Sequence, residues 1–263
     1  MAAKLIDLSF TLNGRKVKVQ IAPDTMLFSL LREQGCASVR CACETTNCGL
    51  CTVWLDGDPV LSCSVPAARV EGHAITTLEG LKAESEALAR AMAAEGAEQC
   101  GFCAPGLIMN VLALARAAKD DPSLVATREE LSRQLAGNLC RCSGYESQLR
   151  AVVRFLTESG VQVGFEMPEL PVNDTSCDGV SYKQITHKQP KKDSKALLEG
   201  RPVYTGDLVP AGALIVKLKR SPYARAKIRS IDTSRALKVP GVVGVYTYED
   251  AVSYTHLTLP TIA

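Results

Sequence analysis

Cys43-Glu-Thr-Thr-Asn-Cys48-Gly-Leu-Cys51-Thr-Val53 is the stretch on which the fold of this 263-residue chain turns. With Cys63 as a later fourth thiol it reads C-x4-C-x2-C…C, the plant-type spacing for a [2Fe–2S] cluster. Iron bridged by sulfide prefers soft anionic thiolates, and four of them hold one cluster, two per iron. A loop that wraps a cluster must also turn its amides inward, and Gly49 permits the backbone this requires. A second set follows: Cys100-Gly-Phe-Cys103 and, much later, Cys140-Arg-Cys142. Each of its pairs stands at or just before an expected helix start, where the helix N-terminus favours an anion. Two such sets in one chain point to an electron conduit.

Other chemistries compete for these residues. Structural zinc also takes four cysteines, and C-x2-C pairs are its usual vocabulary. The C-x4-C-x2-C run is less typical of zinc. The three histidines (His73, His187 and His256) stand away from the cysteine pairs, so mixed Cys/His sites lack support. A secreted disulfide scaffold would need a signal peptide, and eleven cysteines leave one unpaired. Cys36 and Cys41 read as core or loop thiols, and Cys177 as inert.

The flanking sequence organises the chain around the two sets. Leu5–Leu12 and Lys16–Ile21 alternate apolar and polar about Asn13-Gly14, a strong hairpin-turn signal. A short helix follows, capped by Asp24 or Thr25 and stopped by Gly35. A second hairpin is expected about Asp56-Gly57, ending at Cys63. From Leu78 the pattern becomes helical: Leu81–Ala94, a helix starting at Pro105, one opened by a Thr127/Glu130 capping box, and Gln148–Glu158. Residues 160–200 have linker composition, and Leu214–Leu218 and Val242–Tyr246 then read as strands. Net charge is +2 with the signs interspersed, which carries no nucleic-acid footprint. No apolar run reaches membrane-spanning length and no secretory signal opens the chain, so a cytoplasmic location is expected.

Three motifs together resemble the iron–sulfur part of molybdenum hydroxylases, the xanthine dehydrogenase and aldehyde oxidase family. They are the Cys43–Val53 stretch, Gln99-Cys-Gly-Phe-Cys-Ala-Pro-Gly106 and Gly137-Asn-Leu-Cys-Arg-Cys-Ser-Gly-Tyr145, in family order. The resemblance implies an α+β chain: a ferredoxin-like β-grasp [2Fe–2S] domain over 1–77, then a four-helix [2Fe–2S]-binding domain over 78–160. It makes Cys43, Cys48, Cys51 and Cys63 the metal ligands of one cluster, and Cys100, Cys103, Cys140 and Cys142 those of the other. It also places Gln99 and Cys142 beside a molybdopterin cofactor, and it implies no catalytic residue in this chain. Thr45-Thr46 departs from the Glu-Gly that many members carry, which bears on the potential of the first cluster.

Beyond a 161–199 linker, Gly200-Arg-Pro-Val-Tyr-Thr-Gly-Asp207, Arg220–Ile228 and Pro240-Gly-Val242 resemble the start of the family's molybdopterin-binding (a/b hammerhead) subunit. Residues 200–251 are therefore expected to be a truncated α/β domain. Val252–Thr261 resembles a translated sequencing adapter, and 252–263 is expected to be a non-native tail. The linker is too short for a flavin domain, so FAD is expected on a separate subunit. The implied function is electron transfer from a molybdenum–molybdopterin centre, in the same natural chain, through two [2Fe–2S] clusters to a flavin or other acceptor. The full enzyme would hydroxylate an N-heterocycle or aldehyde. A free-standing ferredoxin-type carrier and a zinc-stabilised interaction module are the alternatives. Residues 201–250 discriminate against the carrier, which has no need of them.

Overall fold

The computed structural model describes residues 5–121, 126–168 and 191–250, together with the backbone of 176–177 and 180–181. The chain divides after Pro210 into two units.

The first unit opens with strands β1 (Ile6–Leu12) and β2 (Arg15–Ile21), paired antiparallel with Leu12 opposite Arg15. Asn13 and Gly14 turn the chain at φ 49° and 79°, the double positive φ that a two-residue type I′ hairpin needs. Leu8, Phe10 and Leu12 face inward, following the period of two. Helix α1 (Leu27–Glu33) lays Leu27, Leu30 and Leu31 across this sheet. The expected side-chain cap from Asp24 or Thr25 does not form. The carbonyl of Val65 instead accepts the Leu27 amide at 2.8 Å, so a distant segment satisfies the helix start.

Strands β3 (Thr52–Leu55) and β4 (Asp58–Leu61) form the second hairpin about Asp56 and Gly57, again both at positive φ. A strand not expected from the sequence, β5 (Ala74–Thr76), runs parallel to β1 and antiparallel to β3. It completes a mixed five-stranded sheet of order β2-β1-β5-β3-β4. Three residues are too few to display periodicity, and β5 exists because both neighbours offer it hydrogen bonds.

Four helices follow: α2 (Lys82–Glu95), α3 (Ala104–Asp120), α4 (Arg128–Leu135) and α5 (Tyr145–Glu158). Leu88, Met92, Ile108, Met109, Val152 and Leu156 fill their shared core. The α4 capping box is half made. Thr127 Oγ1 accepts the Glu130 amide at 3.1 Å, while the Glu130 carboxylate turns to Arg133 and Gln134. Helix α5 begins at Tyr145, one turn before the apolar stripe that predicts it.

Both described ends of the expected linker are packed. Val161 is buried in the helical core, and Ala126 pairs with Val163. Farther on, after the short ladder of β6 (Ser176–Cys177) with β7 (Val180–Ser181), comes helix α6 (Ser194–Leu198). It buries Leu197 and Leu198 and bonds Ser194 to Glu98. Two leucines in a charged, polar stretch are too weak a pattern to read as an element, yet they suffice where a preformed core receives them. The Cys177 side chain lies outside the described residues.

Sheet and helices meet in a tight seam. Trp54 on β3 is buried, its Nε1 donates to the Met109 carbonyl at 3.0 Å, and the Arg116 guanidinium stacks 4.1 Å from its ring. Gly106 on α3 abuts the backbone of Gly49 and Leu50, where no side chain would fit.

In the second unit, helix α7 (Ser234–Leu237) forms. The expected strands 214–218 and 242–246 join no ladder among the described residues. Ile215, Val216 and Tyr246 are more than four-fifths exposed there (84%, 85% and 83%). Sheet hydrogen bonds need a partner strand, which these runs lack within the described residues. The expected non-native tail lies outside the described residues.

Candidate metal centres

The first cysteine loop runs between α1 and β3. It is pinned at its waist by the Arg40 amide donating to the Leu50 carbonyl at 3.3 Å. Glu44 (φ 50°), Thr46 (φ 58°) and Gly49 (φ 73°) turn it repeatedly through the left-handed region. Thr46 thus takes a conformation that glycine adopts more readily. The turns aim amides at sulfur: Asn47 N–H and Thr45 N–H donate to Cys43 Sγ at 3.3 and 3.5 Å. Cys63 is returned to the loop by the β3–β4 hairpin. Ser62 anchors it, donating to the Cys51 carbonyl through its amide (3.2 Å) and its hydroxyl (2.8 Å). Cys43 then neighbours Cys48, and Cys51 neighbours Cys63.

The second set is built from two helix starts. Cys103 occupies the N-cap position of α3, after Gly101 at φ 75°. Cys140 and Cys142 lie in the turn before α5, where Tyr145 Oη accepts the Cys140 amide at 2.9 Å. Cys103 neighbours Cys140, and Cys100 neighbours Cys142. Buried Gln148 on α5 donates to Cys103 Sγ at 3.5 Å. Sequence reasoning missed this residue, and a polar side chain next to the inward stripe of α5 was the available signal. Exposed Gln99 donates from Nε2 to the Cys142 carbonyl at 3.3 Å.

These surroundings separate the thiols electrostatically. The backbone amides of Asn47 and Thr45 bring Cys43 down to about 6. Burial, then the neighbouring Cys51, pushes Cys63 up to about 12. Burial and Cys140 do the same to Cys103, also to about 12. At Cys140, burial opposes but the Gly144, Cys142 and Ser143 amides and the Cys103 thiol prevail, so its pKa falls. The thiolate is the reactive form. In metal-free chain, iodoacetamide labelling of Cys43 should therefore rise between pH 5 and 7 and level off. Cys63 and Cys103 should stay unlabelled until strongly alkaline pH. Peptide mass mapping checks this, and equal labelling of all three at pH 7 would refute the amide effect.

Among the described residues no three Cys, His, Asp or Glu side chains gather as a single-ion site requires. The thiols instead stand two by two, the arrangement in which a [2Fe–2S] unit takes them. With amides and an amide side chain directed at sulfur, the donor sets fit that group. The two sets are also joined directly: the amide of Leu139, next to Cys140, donates to the Cys48 carbonyl at 2.9 Å. Asn138 Nδ2 adds a bond to the Gly49 carbonyl at 3.3 Å. Cys41 acts electrostatically on Cys63 from beside the first set, whereas Cys36 lies in the sheet core. Cys36 is a core thiol that accepts from Thr77 and is pushed up to about 11 by burial and Glu79.

A β-grasp sheet and a helical domain, each with four paired thiols, define an iron–sulfur electron-transfer protein. Residues 10–77 match the 2Fe-2S iron-sulfur cluster binding domain, and 77–153 the [2Fe-2S] binding domain. Residues 199–262 match the aldehyde oxidase and xanthine dehydrogenase a/b hammerhead domain. The xanthine dehydrogenase iron-sulfur-binding subunit of Escherichia coli O157:H7 is 42% identical over 154 residues, covering 57% of this chain and 94% of that subunit. The aldehyde oxidoreductase of Megalodesulfovibrio gigas is 32% identical over 262 residues, which is 97% of this chain but 28% of the relative. The solved aldehyde oxidoreductase from Desulfovibrio gigas superposes with a TM-score of 0.71 at 31% identity, covering 93% of this chain and 27% of that one. The chain belongs to the molybdenum hydroxylase family of xanthine dehydrogenases and aldehyde oxidases, and it spans little more than a quarter of the aldehyde oxidoreductase's length.

Proposed function

We propose that this chain is the electron-transferring portion of a molybdenum-dependent hydroxylase. Cys43, Cys48, Cys51 and Cys63 hold one [2Fe–2S] cluster, and Cys100, Cys103, Cys140 and Cys142 hold the other. When bound, the clusters supply stepwise one-electron transfer between a molybdenum–molybdopterin centre and a flavin or other acceptor. The observation that carries the reading is the Leu139–Cys48 hydrogen bond, which ties a residue beside one set to a ligand of the other. Exposed Cys100 and Gln99 mark the face turned to the molybdopterin, with Gln99 and Cys142 as its neighbours. Amide donors at Cys43 and the Gln148 donor at Cys103 hold the thiolates and stabilise their charge.

The domains run over 1–77 and 78–160, followed by the 161–199 segment and the start of a molybdopterin-binding domain over 200–251, whose first residues pack on the iron–sulfur part. The last unit belongs to the molybdenum-binding part of the same natural chain. FAD sits on a separate subunit, the substrate of the whole enzyme is an N-heterocycle or aldehyde, and the setting is the cytoplasm. No residue of this chain performs the hydroxylation itself.

The test is iron and acid-labile sulfide content, with electron paramagnetic resonance (EPR) of the reduced, anaerobically purified chain. About four irons and two distinct [2Fe–2S] signals are expected. Zinc with no signal would overturn the reading.

A further inference from the structure

Arg40 is only 3% exposed and lies between the two cysteine-bearing regions. Its amide is anchored in the first loop, but its guanidinium points to the second set. Nη1 donates to the Gly101 carbonyl at 3.4 Å, inside the Cys100–Cys103 turn. Nη2 donates to the Arg201 carbonyl at 3.3 Å, and Nε to the Ala37 carbonyl at 3.5 Å. The rings of Tyr204 and Phe102 close the cage at 4.4 and 5.3 Å from Cζ. Tyr204 Oη in turn donates to the Cys100 carbonyl at 2.6 Å. The cation therefore rests against the turn that carries two of the four thiols.

Its charge is poorly balanced by protein. Among the described residues Arg40 forms no carboxylate ion pair. Asp207 acts on it electrostatically, but that carboxylate is bonded to Arg32 at 2.8 Å. Two guanidinium groups thus share one carboxylate. Carbonyl dipoles and ring faces offset part of the desolvation cost of a buried guanidinium and leave its charge intact. Taking up one electron makes a thiolate-held cluster one charge more negative, with no proton needed from its ligands. A fixed cation then stabilises the reduced form more than the oxidised one.

We infer that Arg40 is a positioning residue that raises the reduction potential of the cluster held by Cys100, Cys103, Cys140 and Cys142. The inference rests on the ligand assignment proposed above. It also assigns the 194–207 segment a purpose, since Arg201 and Tyr204 complete the cage that keeps the cation dry.

The test is a mediated dithionite titration of the whole chain, followed by EPR, with Arg40→Gln, Arg40→Lys and Asp207→Asn. In Arg40→Gln the reduced-to-oxidised ratio of the second cluster at fixed potential should fall about tenfold, a shift of about 59 mV for one electron. The first cluster should move less, and Arg40→Lys should restore most of the shift. Asp207→Asn should move the second cluster the opposite way, because the remaining positive charge is then unopposed. Unchanged midpoints in a folded, iron-loaded Arg40→Gln chain would overturn the inference. If that variant fails to retain iron, Asp207→Asn decides, and an unmoved or lowered midpoint refutes it. Absence of both cluster signals from the unaltered chain would sink the ligand assignment instead.

Discussion

Cys142→Ala should abolish the second cluster signal, leave the first intact and halve the iron content. Cys142 is paired with Cys100, while Cys103 pairs with Cys140, so one substitution leaves one iron position with a single thiol. The first set sits on a different scaffold, the β3–β4 hairpin and the loop before it, and keeps all its donors. Cys142 is only half-buried and belongs to neither hydrophobic core cluster. The metal-free variant should accordingly melt within about 2 °C of the parent, since surface changes rarely exceed ~0.5 kcal/mol. EPR and iron analysis read the outcome. Two unaffected signals would refute Cys142 as a ligand. Loss of both would mean that the clusters are assembled cooperatively.

Gly49→Ala should strongly destabilise the seam. Gly49 sits at φ 73°, where an L side chain costs about 1–2 kcal/mol. Its Cβ would also run into the Gly137 carbonyl and approach Asn138 Nδ2 to 2.8 Å. A backbone carbonyl cannot rotate away, so the sheet domain and the helical domain must part, adding about 1–3 kcal/mol of overpacking. Together these amount to about 2–5 kcal/mol, or a fall of roughly 10 °C in Tm. Gly14→Ala is the control, because Gly14 has φ 79° but nothing within 4 Å of its Cβ. Equal melting of the two variants would show that the seam contact carries no cost beyond backbone strain. Because the Leu139–Cys48 bond lies in the same seam, Gly49→Ala should also broaden both cluster signals.

Local features are written in the chain. Cysteine spacing separates the two thiol sets, Asn13-Gly14 and Asp56-Gly57 make the hairpin turns, and apolar periodicity marks the four helices to within a turn. These are legible because each depends on residues a few positions apart, through φ preference or the period of a helix or strand. The family motifs extended that reading to the iron–sulfur chemistry.

Whatever joins distant positions comes from the fold. Which thiol neighbours which follows from the hairpin that returns Cys63 to Cys51 and from two helix starts meeting at Cys103 and Cys140. Strand β5 exists only between β1 and β3, and α1 dispenses with a side-chain cap because Val65 supplies a carbonyl. Helix α6 is legible only against the core that takes Leu197 and Leu198, and the apolar run 214–218 forms no strand without an edge to pair with. Arg40 and Gln148 look like ordinary polar residues in the chain. Burial, and the groups that burial sets against them, make one a buried cation beside the Cys100–Cys103 turn and the other a donor to sulfur. The physical reason is the same throughout: hydrogen bonds, desolvation and charge depend on which groups come together in space, and sequence separation encodes only the nearest of them.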